Sequence, residues 1–271
     1  MEVNNQIQNP GSALGEAIGA YMETSINKYL EPLLQELSAR LITKGPLNIK
    51  TQRFTKLLMY DEFGTQYSID GVIVNESNQP LVLLESKYIR YKKHNRDKGS
   101  WICHAHGEIR RRYNSIRSSI AVLAGNWSKT SLLMMTSHHI NVFLVPFEKI
   151  SGILLKRGIN FDWGEKERSL ANTAWQKYIS LSEEEKISIG DEMISDIKPR
   201  VLELISKTLS NEVQREIEKV IIEIHSNLGE VKIFAFKNRD DALDFLEDFN
   251  LQEILDHSNS FTIFDLPSIE S

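Results

Sequence analysis

Two acids and an amine stand inside a stretch of chain that otherwise reads as core. Residues 67–88 are YSIDGVIVNESNQPLVLLESKY, and Asp70, Glu85 and Lys87 sit where Val, Ile or Leu would be expected. Two apolar runs flank the polar loop at 76–79, which is the pattern of a β-hairpin. With Glu76 opposite Gln79, Val74 meets Leu81 and Asp70 meets Glu85. Directly opposed residues of antiparallel strands have Cβ atoms about 4.5–5.5 Å apart, and like charges there repel. Lys87 lies two residues beyond Glu85, so the period of two puts its amine on the same face.

A carboxylate pair held this close is tolerated when a cation neutralises it. Hard divalent ions such as Mg²⁺ take one or two carboxylates and complete their shell with water and substrate phosphate. Such an ion lowers the pKa of a bound water and offsets charge developing on a phosphate, and a neighbouring lysine orients the nucleophile or stabilises the transition state. The bland alternative is a strand-end salt bridge of Lys87 with either acid. The surroundings favour chemistry: a helix precedes the hairpin and a basic segment follows it.

That basic segment is the second feature. From Lys87 to Arg117 there are ten Lys and Arg against two acids, whereas the rest of the chain holds 22 basic and 35 acidic residues. Arg90, Lys92, Lys93, Arg96 and Lys98 are interleaved with aromatics directly after the hairpin, and Arg110, Arg111, Arg112 and Arg117 follow. Phosphate contacts are the expected task of these nine cations. Neighbours on a helix are about 100° apart, so the arginine triplet cannot all face one groove, and Glu108 is a ready partner for one of them.

The elements that must position these groups follow from periodicity. Residues 12–42 carry Leu14, Ile18, Met22, Ile26, Leu30, Leu33, Leu37 and Leu41 at helical spacing, with Ser12 as N-cap and Pro32 as a kink or break. Strands are expected at 53–60, 66–75 and 80–88, a helix at 103–124, and strands at 131–136 and 140–147. The order α-β-β-β-α-β-(β) implies a mixed sheet with helices on its faces. Beyond about 150 the pattern becomes helical and acidic, with helices at 182–209 (broken near 198–199), 211–223 and 239–249, a strand at 230–236 and an apolar run at 261–266. The expected division is therefore a 1–150 core and a 151–271 part, mainly helical α+β, that serves dimerisation or target recognition.

Asp70, the hairpin, and then Glu85-Ser86-Lys87 resemble the signature of the PD-(D/E)XK nuclease superfamily, which includes the restriction endonucleases. Ile69 replaces the usual proline before the aspartate. The resemblance covers about residues 12–147. It implies an αβββαβ restriction-endonuclease-like core, metal-dependent phosphodiester hydrolysis with Mg²⁺ (Mn²⁺ substituting), Asp70 and Glu85 as metal ligands, the Ser86 carbonyl as a further ligand, and Lys87 beside the attacking water. Many members add a carboxylate from the first helix; Glu16 is the best match and Glu23 the second. The function so implied is a type II restriction-like DNA endonuclease, with double-stranded DNA as the expected partner and a homodimer as the expected assembly. A repair or resolvase-type nuclease of the same fold, or a DNA-binding protein without catalysis, are the alternatives.

Composition sets the outer bounds. The chain has 271 residues, 41% apolar and a net charge of −5, enough to bury a sizeable core. A single cysteine, Cys103, excludes an internal disulfide framework, and no membrane span or secretory leader is read, so a cytoplasmic location is expected. Cys103, His104 and His106 lack a second ligand cluster at finger-like spacing, which argues against structural zinc. Phosphate loops and nucleophile elbows are absent from the sequence, leaving an NTPase or serine hydrolase without support.

Overall fold

The computed structural model describes residues 9–92, 95–164, 166–210 and 214–250. Its first helix, α1 (Pro10–Glu36), buries Leu14, Ile18, Met22, Ile26 and Leu30 of the stripe read from the sequence, then Leu34 in place of Leu33, while Leu37 and Leu41 lie beyond the helix. Each such side chain contributes about 1.5–3 kcal/mol. Asn9 rather than Ser12 caps the helix: its side chain accepts the Ser12 amide at 3.1 Å. Pro10 then occupies the first turn, where its missing N–H costs nothing. Pro32 does not divide the helix, which runs on to Glu36 before the chain turns into β1 (Ala39–Ile42).

Four short strands follow: β2 (Leu47–Asn48), β3 (Arg53–Phe54), β4 (Leu58–Tyr60) and β5 (Gln66–Ser68). Then come β6 (Gly71–Asn75) and β7 (Pro80–Ile89), helix α2 (Asn95–Arg112), strand β8 (Ser118–Gly125), helix α3 (Lys129–Ser137) and strand β9 (Ile140–Pro146). The main sheet has the order β1-β6-β7-β8-β9; β6 is antiparallel to β1 and β7, whereas β7, β8 and β9 are parallel. Val82 and Leu84 face α1, and Leu83 packs with Ala105 and Ile109 of α2, so helices cover both faces. The fold is α/β, with a mixed central sheet and eight helices among the described residues.

Two expectations fail here. The helix expected over 103–124 stops at Arg112, and residues 118–125 form β8, buried along its whole length between two parallel neighbours. A strand buried on both faces carries no alternation, so Ile116, Ile120 and Leu123 imitate helical spacing. Residues 131–136, expected as a strand, lie in α3, whose N-terminus Ser128 caps by accepting the Ser131 amide.

The compact unit does not end near 150. Helices α4 (Phe147–Leu155), α5 (Arg168–Ile179), α6 (Glu183–Ile194) and α7 (Lys198–Leu209) share the core beneath α1, and the unit closes at Ser210. Gly190 lets α6 approach α1: a Cβ there would stand 2.4 Å from the Tyr21 carbonyl oxygen. The second unit, from Asn211, holds the hairpin β10 (Val220–His225) and β11 (Val231–Phe236) with α8 (Arg239–Glu247), whose Phe245 packs on Phe234 and Phe236. Residues 220–223, expected at the end of a helix, are therefore strand, and the run at 261–266 lies outside the described residues. Among the described residues no helix is long and apolar enough to cross a membrane.

Candidate active site at the open edge of strand β7

The hairpin register is the expected one where it matters. Gly71 pairs with Leu84, Val72 with Leu83 and Ile73 with Val82, after which a bulge shifts Val74 onto Pro80 instead of Leu81. Strand β6 begins at Gly71, yet β7 continues to Ile89 with β8 on its other side, so residues 85–89 present an edge that β6 does not cover. Asp70, one residue before β6, closes over this edge. Its Oδ2 accepts the Ser86 amide at 3.0 Å and the Lys87 ammonium at 2.6 Å. Lys87 Nζ is also 2.7 Å from Glu85 Oε2. The three polar groups predicted to converge do so.

Burial separates the two acids. The Glu85 side chain is 1% exposed and that of Asp70 29%. Burial and the charge of Glu85 raise the Asp70 pKa to about 6, against the opposing pull of Lys87. Burial also pushes Glu85 upward, but His106, Lys87 and Asp70 outweigh it and hold Glu85 well below the usual carboxylate range. Lys87 is pulled down by burial and raised further by Glu85 and Asp70, so it stays charged. Without a cation, then, Asp70 is the member of the pair that takes up a proton near neutrality.

The donor set suits a hard divalent ion. Glu85 Oε2 is buried with the Lys87 ammonium 2.7 Å away, and that ammonium fills the gap between two carboxylates that would otherwise repel. In an extended strand the N–H and C=O of one residue point the same way, so the Ser86 carbonyl shares the edge its amide offers to Asp70. Among the described residues no three His, Cys, Asp or Glu side chains form a metal cage. An ion here would rest on two carboxylates, one carbonyl, and water or substrate oxygens.

Beside this edge a cleft of about 710 Å³ opens between α1 and the end of β7, lined by Glu16, Glu23, Ser86, Tyr88 and Lys98 among others. Gly15 makes room for it: a Cβ there would lie 2.7 Å from the Tyr88 ring. The two helix glutamates differ sharply. Glu16 is exposed on the rim, where the Ser12 hydroxyl donates to it at 3.3 Å. Glu23 is partly buried; burial raises its pKa, and it feels both Lys87 and Glu85. The second choice from the sequence is thus the helix carboxylate electrostatically joined to the hairpin site.

His106 belongs to the site and was read only as an unsupported zinc ligand. It is 1% exposed, its Nε2 lies 3.9 Å from Glu85 Oε1, and both ring nitrogens lack hydrogen-bond partners. The sequence carried a signal: with Ile102, Ala105 and Ile109, His106 falls on the buried stripe of α2, an unusual place for an imidazole. Cys103 is spent elsewhere, buried and pointing at the Met134 carbonyl, and His104 contacts the Tyr67 hydroxyl.

The nine cations divide. Lys92, Arg96 and Lys98 are exposed, Lys98 on the wall of the cleft, and Lys93 lies outside the described residues. Burial and Lys87 lower the Lys98 pKa. Arg90 is a structural residue: 9% exposed, it stacks 3.9 Å from the Trp163 ring centre and 4.4 Å from that of Phe161, and donates to the Trp163 carbonyl. Arg117 donates to the carbonyls of Thr208 and Leu209 at the end of α7, Arg112 to the Asp61 carbonyl, and Arg111 pairs with Glu108. Arg110 is half-buried on α2. The Lys98 ammonium also donates to the Tyr88 carbonyl at 3.4 Å, so five of the predicted DNA contacts are engaged within the fold.

No family model matches the chain, and no curated protein does. Among solved structures, the crystal structure of AF1548, described as a protein of unknown function, aligns at 13% identity over 68% of this chain and 98% of its own, with a TM-score of 0.30.

Proposed function

We propose that this chain is a Mg²⁺-dependent DNA endonuclease of the PD-(D/E)XK type, with the αβββαβ core formed by α1, β1, β6, β7, α2 and β8. The observation that carries the reading is the convergence of Asp70, Glu85 and Lys87 at an uncovered strand edge beside a cleft. A purely structural salt bridge would not need a second acid, 1% exposed, against the same ammonium.

In this reading Asp70, Glu85 and the Ser86 carbonyl hold the divalent ion, which when bound supplies a water of lowered pKa and charge to offset the phosphate. Lys87 contributes a permanent positive charge for the developing charge on the phosphoryl oxygens. His106, behind Glu85, helps keep that carboxylate ionised. Glu23 adds the carboxylate from α1, and Lys92, Arg96 and Lys98 draw the strand to the cleft. The test is incubation of supercoiled plasmid with the protein, with and without Mg²⁺. Discrete linear fragments are expected for a restriction-type enzyme; a smear moves the assignment to a nonspecific or repair nuclease, and intact plasmid in both Mg²⁺ and Mn²⁺ overturns it.

A further inference from the structure

Between β1 and β4 the chain leaves the body of the protein. Residues 46–56 are all exposed, with Gly45 buried at the root, and β2 and β3 pair with each other through Leu47 with Phe54 and Asn48 with Arg53. Free hairpins are marginal in water, yet this one is built with care. The Asn48 side chain accepts the amides of Lys50 and Thr51, the Gln52 side chain donates to the Ile49 carbonyl, and Gln52 itself takes a positive φ of 52°. At its base the Gly45 amide donates to the Thr55 carbonyl at 2.9 Å, and a Cβ on Gly45 would lie 2.3 Å from the Lys56 carbonyl oxygen. The hairpin is pinned at its root and shaped at its tip, with no core to serve.

Its chemistry is uneven. Residues 44–56, KGPLNIKTQRFTK, carry Lys44, Lys50, Arg53 and Lys56 and no acid, in a chain of net charge −5. Directly opposed residues share a face, so Leu47 and Phe54 form an apolar side and Asn48 and Arg53 a polar one. Ile49 at the turn is 83% exposed and Phe54 60%. Burial does not explain these side chains, and a basic hairpin with an apolar flank matches a polyanion that also offers apolar groove walls.

Its position selects the polyanion. Ile42, the last residue of β1, pairs with Val72, so the hairpin departs from the end of the sheet where Asp70 stands. Lys44 acts electrostatically on Glu23, which in turn feels Lys87 and Glu85. We propose that residues 45–56 form a DNA-gripping arm, its cations on the phosphates flanking the cleaved bond and Leu47, Ile49 and Phe54 against the walls of the minor groove. The inference rests on the nuclease reading for the identity of the substrate and adds where the duplex is held.

The experiment measures binding of a 30-base-pair duplex by full-length protein in EDTA, across salt concentrations, for the wild type, Lys50→Ser/Arg53→Ser/Lys56→Ser, and Ile49→Ser. The triple variant, altered only at exposed positions, is expected to melt with the wild type and to bind about tenfold or more weakly, with a logarithmic salt slope shallower by roughly 0.9 for each phosphate no longer neutralised. Ile49→Ser is expected to bind more weakly with the slope unchanged. Wild-type affinity and slope in the triple variant overturn the arm. So does arm-dependent binding to anionic phospholipid vesicles in place of DNA, since a basic apolar hairpin would also suit a membrane surface. A wild type that binds DNA through the arm but never cuts it overturns the nuclease reading alone.

Discussion

The Lys87 ammonium stands 2.6 Å from Asp70 Oδ2, and the same nitrogen is 2.7 Å from Glu85 Oε2. One cation thus serves two carboxylates, and the unequal burial of the acids decides which of them carries a proton. Asp70 rises to about 6 while Glu85 stays ionised.

A stability prediction follows from the sign of that shift. A carboxylate raised from 3.8 to about 6 contributes stability that is present below its ordinary value and lost as the pH rises through 6. Metal-free protein is expected to lose up to about 3 kcal/mol on this account between roughly pH 4 and pH 7, at 1.36 kcal/mol per unit. Asp70→Asn removes the loss. Urea unfolding in EDTA should therefore find the variant more stable than wild type at pH 8 and not at pH 4; equal differences at both would contradict the raised pKa.

Under the proposed function the same group should set the acid limb of cleavage. Protons compete with the divalent ion for Asp70, so at limiting Mg²⁺ the rate should fall as the pH drops through about 6. Excess Mg²⁺ should move the midpoint to lower pH. A midpoint indifferent to metal concentration would mean that Asp70 is not a ligand.

Glu16 and Glu23 give a test within one helix. Glu23→Gln is expected to reduce cleavage at limiting Mg²⁺ by about tenfold or more, with partial rescue by Mn²⁺, because Glu23 is coupled to Lys87 and Glu85. Glu16→Gln, at an exposed rim position, should change cutting by less than about threefold. The reverse order would return the helix carboxylate to Glu16.

Arg90 and its neighbours separate folding from binding. Arg90→Met should destabilise by about 1–3 kcal/mol, since it breaks the stack on Trp163 and Phe161 and leaves the Trp163 carbonyl unpaired, while the salt slope of DNA binding holds. Lys92→Ser/Arg96→Ser should do the opposite: a shallower slope with the melting temperature unchanged. Thermal melts and salt titrations on both variants decide it.

The strongest periodicities were legible in the sequence, and so was the hairpin register from Gly71 to Ile73, because turn residues and alternation fix pairing locally. Strand β8 was not, since burial on both faces erased the alternation that marks a strand. The coupling of Glu23 to Lys87 and Glu85 was hidden for a different reason. Seven residues apart, Glu16 and Glu23 lie about 20° from one another around α1 and roughly 10 Å apart along it, so periodicity gives them one face and only tertiary placement gives each a height. Arg90 misled through composition: a guanidinium in a basic run reads as a phosphate contact, and the aromatics that claim it, Phe161 and Trp163, are some seventy residues away. The basic hairpin at 44–56 could have been found from its four cations and absence of acids.

The central claim is that Asp70 and Glu85 together hold the ion that cuts DNA. Its most direct measurement is single-turnover cleavage of supercoiled plasmid at saturating Mg²⁺ by wild type and Glu85→Gln, with duplex binding in EDTA run on both. The account predicts that Glu85→Gln binds DNA within about threefold of wild type and cuts at least about a thousandfold more slowly. Cleavage by Glu85→Gln at the wild-type rate would contradict it.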